Sequence, residues 1–131
     1  MTWLALLLLV PLVYVVLAVF EVQRSAYGAS AAGRAAGRAF VQAPDPTAGH
    51  ARAVRAAQLV LEDHRITDTA TDVFVRCTGG PCLSPGSSVV VTVTTRARLP
   101  FVPDVLGGAR PSVRVDSTHT EPYGRFREDR S

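Results

Sequence analysis

Trp3-Leu4-Ala5-Leu6-Leu7-Leu8-Leu9-Val10-Pro11-Leu12-Val13-Tyr14-Val15-Val16-Leu17-Ala18-Val19-Phe20 carries no charged residue, and Glu21-Val22-Gln23-Arg24 follows it at once. As a helix, about 18 residues rise roughly 27 Å, close to the hydrocarbon thickness of a bilayer. Pro11 interrupts the run, which a membrane helix tolerates. A cleaved signal would need a basic n-region, an apolar core of about 7–15 residues and a small-residue cleavage site. Met1-Thr2 supplies no basic residue, and Ala29-Ser30-Ala31 lies well beyond the apolar run. Residues 1–22 are therefore expected to be a retained transmembrane segment. Glu21 marks its exit, either resting in the headgroup layer or pairing with Arg24 one helical turn on.

Working outward, residues 23–43 are dominated by Ala, Gly and Ser with no proline before Pro44, so the helix is expected to continue to about Phe40–Val41. Gly33 and Gly37 form a small-xxx-small step, and Gly28, Ala32 and Ala36 form another. Such steps admit a second helix closely, whereas in a lone exposed helix the glycines would only weaken it. Glu21, Gly28, Gly33 and Gly37 are thus candidate helix-packing residues.

Ala43-Pro44-Asp45-Pro46 ends that helix and starts another, with Asp45 as N-cap and Pro46 at the first helical position. Residues 44–66 form this second unit, its helix running from Pro46 to about Asp63. Val54, Ala57 and Leu61, flanked by Ala51, Gln58 and Leu59, are read as its apolar face; Arg52, Arg55, Glu62 and Asp63 face water.

Residues 67–121 are read as a small antiparallel β domain. Thr71–Cys77 places Val73, Val75 and Cys77 on one face. Ser88–Leu99 alternates most clearly, with Val89, Val91, Val93, Thr95, Ala97 and Leu99 opposite Val90, Thr92, Thr94, Arg96 and Arg98. Ser112–Thr120 repeats the pattern through Val113, Val115, Ser117 and His119. Short connections favour a meander, with the second helix covering its apolar face. Phe101, Val102, Val105 and Leu106 in the last link either pack under the sheet or touch the membrane surface, and core packing is the expectation adopted. Residues 122–131 are expected to be a flexible charged tail. The fold class is α+β: a long N-terminal transmembrane helix, a second amphipathic helix and a three-stranded antiparallel sheet.

The chain has 131 residues, a net charge of +3 and an apolar share of 47%. All 14 basic residues are arginine, an Ala/Val/Gly/Arg bias that suits a GC-rich bacterial genome. The arginines run from Arg24 to Arg130 without a cluster or interleaved aromatics, which argues against nucleic acid as a partner. The two cysteines flank Thr78-Gly79-Gly80-Pro81. Cys77 and Cys82 are candidates for a short disulfide loop in an oxidising compartment; two free thiols or half of a metal site are the alternatives. A metal site is not expected, because there is no second Cys pair and His50, His64 and His119 are scattered. Gly79-Gly80 and Gly107-Gly108 read as turns rather than phosphate loops. Ser84, Ser87 and Ser88 have no readable His–Asp arrangement. His64 closes a helix and His119 sits on a strand face, so neither catalytic residues nor a cofactor is expected.

The N-terminal third resembles the TadE-like pseudopilins of tight-adherence (Flp-type) pilus systems, especially actinobacterial members. The likeness rests on Leu7-Leu8-Leu9-Val10-Pro11-Leu12-Val13, on the exit Val19-Phe20-Glu21-Val22-Gln23-Arg24, and on Ala31-Ala32-Gly33-Arg34-Ala35-Ala36-Gly37-Arg38-Ala39. It covers Leu4–Val41; Ser88–Leu99 followed by Pro100-Phe101-Val102-Pro103 is similar to the family's tail. The family carries a Gly and then a Glu ahead of the apolar run for a prepilin peptidase, and Met1-Thr2-Trp3 has neither. Either the reading frame starts further upstream or this member keeps its span. The resemblance implies a pilin-like anchor that sits in membrane lipid and packs against itself or other pseudopilin subunits. It further implies contact with pilus or secretion machinery, and a carboxylate such as Glu21 offsetting a neighbour's positive group. Arg24, Arg34 and Arg38 after the span favour a cytoplasmic head by the positive-inside rule, while the disulfide candidate favours the opposite side. A single-pass cell-membrane protein with an extracytoplasmic C-terminal domain is the expectation adopted. Two rivals remain: an envelope module unrelated to pili whose helix is only a tether, and a small β-rich domain secreted after cleavage near Ala31.

Overall fold

A computed structural model of the chain describes residues 1–66, 71–98 and 112–131. Helix α1 runs from Thr2 to Val41 without a break, 40 residues with Pro11 inside it. At 1.5 Å per residue it is about 60 Å long, far longer than a head of this size requires. Its two halves live in different surroundings. Every residue from Met1 to Val13 is exposed, with Leu7 at 78% and Phe20, further along, at 66%. From Ser25 onward one stripe disappears from solvent: Ser25, Gly28, Ala29, Ala32, Gly33, Ala36, Gly37 and Phe40. This stripe has the 3.6-residue period, so its burial marks one continuous packed face, shared between α2 and the sheet.

Helix α2 spans Pro46–Asp63 and begins as the sequence predicts. Asp45 accepts a hydrogen bond from the Ala48 N–H at 2.8 Å, and Pro46 occupies the first turn, where a missing donor costs nothing. At the other end Arg65 adopts a left-handed backbone with φ 58°. The Ile66 N–H donates to the Leu61 carbonyl and the Arg65 N–H to the Glu62 carbonyl, a double closure that turns Ile66 back over the helix end. The His64 ring nitrogen Nδ1 adds a hydrogen bond with the Val60 carbonyl at 2.9 Å, so this histidine serves the helix terminus.

The apolar face of α2 agrees with the expected one at Ala57 and Leu61 and differs elsewhere. Its buried residues are Gly49, Ala53, Ala57 and Leu61, whereas Val54 is 36% exposed and Leu59 55%. Ala51 and Gln58 are exposed as well. The contact is close: a Cβ on Gly49 would stand 3.1 Å from the Phe40 ring. Such proximity admits only small residues along the Gly49–Ala57 stretch, so Val54 and Leu59 are turned outward while Leu61, past it, is buried. Arg52, Arg55, Glu62 and Asp63 face water as expected.

Strands β1 (Asp72–Thr78), β2 (Ser88–Arg98) and β3 (Ser112–Pro122) form an antiparallel sheet in the order β1-β2-β3. The pairing sets Val75 opposite Val91 and Val91 opposite His119, with Val93 between Val73 and Ser117. Val89, Val91, Val93, Thr95 and Ala97 are buried, as the alternation in β2 predicts; Leu99 lies outside the described residues. The second half of α1, not α2, covers this face; among the described residues α2 packs on α1 and meets the sheet chiefly at β1. Small residues explain the exchange, since Ala and Gly along α1 bring its backbone down onto the sheet. The link holding Phe101, Val102, Val105 and Leu106 also lies outside the described residues.

Residues 122–131 do not trail away from the head. Tyr123 is 2% exposed, its hydroxyl donates to the Glu128 carbonyl, and the Arg127 guanidinium lies 4.4 Å above its ring. The Arg130 N–H donates to the Leu83 carbonyl at 2.9 Å, and its side chain to the Ala43 carbonyl at 3.2 Å. The expected flexible tail is thus a docked segment. A buried aromatic and backbone hydrogen bonds outweigh its charged composition.

Candidate functional site

The feature with most functional content is α1 itself, a bare apolar half joined without interruption to a half seated in the head. Its span is long and apolar enough to cross a membrane, and none of its most apolar window is buried. Leaving this many large aliphatic side chains in water would be costly at about 25 cal/mol per Å² of apolar surface. The contiguous patch far exceeds the few hundred Å² that soluble monomers tolerate.

At the boundary between the halves, Glu21 and Arg24 form an ion pair on one helical turn. Both are partly exposed, 28% and 44% in their side chains, so the pair adds little to the stability of the head. Its position matters more: a neutralised pair limits the cost of carrying charge at the edge of an apolar segment.

The candidate packing glycines are all occupied within the chain. A Cβ on Gly28 would collide with the Ile66 side chain and stand 3.3 Å from His64 Cβ. At Gly33 it would meet His119 at 3.4 Å, and at Gly37 it would meet Glu121 at 3.2 Å and His119 at 3.3 Å. The small-residue tract is therefore the seat for the chain's own sheet and for the end of α2, leaving no room there for a partner helix. Periodicity correctly finds the close approach; the approaching element is internal.

Sequence reasoning placed His119 on this strand face but missed its partner Glu121 and, at the other end of the seam, Ile66. His119 Nε2 lies 2.9 Å from Glu121 Oε2, both side chains half-buried beneath Gly33 and Gly37. The alternate positions 117, 119 and 121 on one strand face were the available signal. Ile66, 6% exposed, closes the end of the seam over Gly28; its sequence shows only an isolated apolar residue after a helix.

Cys77 and Cys82 form a disulfide with Cα atoms 5.3 Å apart. Gly79 and Gly80 inside that loop have φ of 77° and 134°, the left-handed backbone that glycine adopts without strain. The bridge lies at the end of the sheet where Thr78 pairs with Ser88. The nearby serines serve the same turn: Ser84 Oγ donates to the Pro81 carbonyl and Ser87 Oγ to the Ser84 carbonyl, both at 2.7 Å. No group of three or more His, Cys, Asp or Glu residues able to hold a metal ion occurs among the described residues.

On the outer face of the sheet, Asp116 takes hydrogen bonds from Thr94 and Arg114. These hold its carboxyl below the usual carboxylate range, the threonine hydroxyl contributing most. The arrangement positions charges on a solvated face and creates no reactive centre. Comparison with family models, curated proteins and solved structures returned no match.

Proposed function

We propose that this chain is a membrane-anchored TadE-like pseudopilin. In this reading it resides in the cell membrane of an actinobacterium-like bacterium with its head outside the cytoplasm. It associates through the bare half of α1 with partner subunits of a tight-adherence pilus or related secretion system. One observation carries the reading: a single helix is apolar and largely exposed over one half, and over the other forms the spine of a small α+β head. A plain tether has no need to be continuous with the core of the domain it holds. A subunit that transmits position from lipid to head through one rigid rod does. The sequence likeness over Leu4–Val41 supplies the family, and the Cys77–Cys82 bridge suits an oxidising compartment.

Because Gly28, Gly33 and Gly37 are used internally, association is assigned to residues in the exposed half of α1, with Glu21–Arg24 at its rim. The test is a photo-activatable amino acid at Leu9 and at Val16, 54% and 46% exposed, in cells carrying the native gene cluster. Adducts with a second copy or another single-helix subunit are expected; adducts with lipid alone overturn the assignment. Replacing residues 3–20 by an unrelated apolar helix separates the envelope-module reading. A mere tether survives the exchange with function intact, whereas a pseudopilin does not.

A further inference from the structure

We infer that the sheet, and not the helix alone, rests on the bilayer: the rung where Ala97 pairs with Val113, flanked by Arg96 and Arg114, lies in the headgroup layer. The inference rests on the membrane reading of α1 and adds a second contact to it. The direction of the strands is set by their packing. Gly33 faces Val93 and His119, while Gly37, one turn further from the apolar half, faces His119 and Glu121. Strand β3 therefore climbs away from the membrane end, and β2, antiparallel to it, descends toward that end. The disulfide turn is distal, and the Arg98–Ser112 rung is the end of the described ladder nearest the lipid.

The depth follows from the rise of the two elements. From Val93 to Ala97 the strand descends about 13 Å, matching about nine helical residues and bringing the Ala97–Val113 rung level with about Arg24. Along α1, Trp3 and Arg24 stand about 32 Å apart, so one hydrocarbon thickness of about 30 Å places them at opposite interfaces. Thr95 and Ala97 are both fully buried, on the sheet face that α1 covers from Gly33 onward. On α1 itself, Ala18, Glu21 and Val22 are already half-buried along the side that Ser25 and Gly28 continue.

The side chains at this level suit an interface. Tyr27 is 72% exposed and Val113 41%, and Arg24, Arg96 and Arg114 are exposed as well. Aromatic rings and long-stemmed arginines are the residues that favour the headgroup region, where an apolar body and a polar tip are both satisfied. Two of the arginines have an internal carboxylate partner, Glu21 for Arg24 and Asp116 for Arg114. Arg96 is left with the neutral Ser112 hydroxyl, so the collar carries a single unbalanced positive charge, and its attraction is to the interface more than to net lipid charge.

The test places an environment-sensitive fluorophore on single cysteines introduced into the full chain, leaving the Cys77–Cys82 bridge oxidised. Leu8→Cys reports the span, Val113→Cys the proposed contact, and Pro85→Cys the distal end. Each variant is reconstituted in phosphatidylcholine vesicles, with and without phosphatidylglycerol, and quenched with brominated lipid. Blue-shifted, bromine-quenched emission is expected at Leu8 and Val113, in both lipid mixtures, and none at Pro85. Quenching at Leu8 with a Val113 signal matching that of Pro85 overturns the sheet contact while leaving the anchor intact. Quenching of Val113 only with phosphatidylglycerol overturns the account of an interface-driven contact, and an unquenched Leu8 overturns the membrane reading itself.

Discussion

At Gly37 the backbone of α1 comes so close to β3 that an added Cβ would stand 3.2 Å from Glu121 Cβ. A leucine there must displace the strand or the helix, and overpacking of this kind costs about 1–3 kcal/mol. Gly37→Leu is expected to lower the unfolding free energy of the detergent-solubilised chain by that amount, read as an earlier denaturation midpoint, while leaving its membrane fraction unchanged. An unchanged midpoint would show that the seam is looser than its geometry. Asp116 gives a residue-scale prediction of another kind. Its folded pKa is depressed, so its ionisation adds stability that is fully present above the unfolded pKa and is lost as pH falls through the folded one. The group is fully exposed, so the effect on stability is slight and a direct titration is the better readout. Thr94→Val removes the largest cause of the depression. The Asp116 carboxyl resonance should then titrate at higher pH, closer to an ordinary carboxylate; an unmoved midpoint would exclude the threonine hydroxyl as the cause.

Elements were readable wherever local chemistry decides them and unreadable where a distant neighbour does. The Asp45–Pro46 start of α2 and the alternation of β2 are local statements, and both appear where the sequence places them. Which face of α2 is buried depends on α1. With Gly49 pressed against Phe40, Ala53 and Ala57 fit the interface and Val54 and Leu59 do not. Side-chain hydrophobicity gives the larger residues too much weight here, because closeness of approach is the deciding quantity. The glycines of α1 teach the same lesson: their spacing announces close packing but is silent on whether the neighbour belongs to the same chain. For α2 as an element, the Asp45 cap is worth about 1 kcal/mol, or about 4–8 °C in a head of this size. Asp45→Ala should lower the melting temperature by that amount without altering the sheet, and a larger loss would mean that Asp45 has a role in the head beyond the cap.

For the whole molecule, the division of α1 makes a demanding prediction. The head keeps its core on residues from Ser25 onward: Ala29, Ala32, Ala36 and Phe40 from α1, Ala53, Ala57 and Leu61 from α2, and Val89, Val91 and Val93 from the sheet. None of these comes from the apolar half, whose most hydrophobic window is entirely unburied. The apolar half should therefore contribute location and association but almost nothing to the stability of the head. A chain lacking residues 2–20 is expected to be a detergent-free monomer with the far-ultraviolet dichroism of the α+β head. Its melting temperature should fall within about 4 °C of the full chain in detergent, a difference of less than about 1 kcal/mol. The alternative is physically distinct: if the head draws order from the span, truncation exposes the α1 face of the sheet and yields an aggregate or a molten species. Only the first outcome fits a rod whose two halves perform separable tasks, one holding the sheet and α2 and the other meeting lipid and neighbouring subunits.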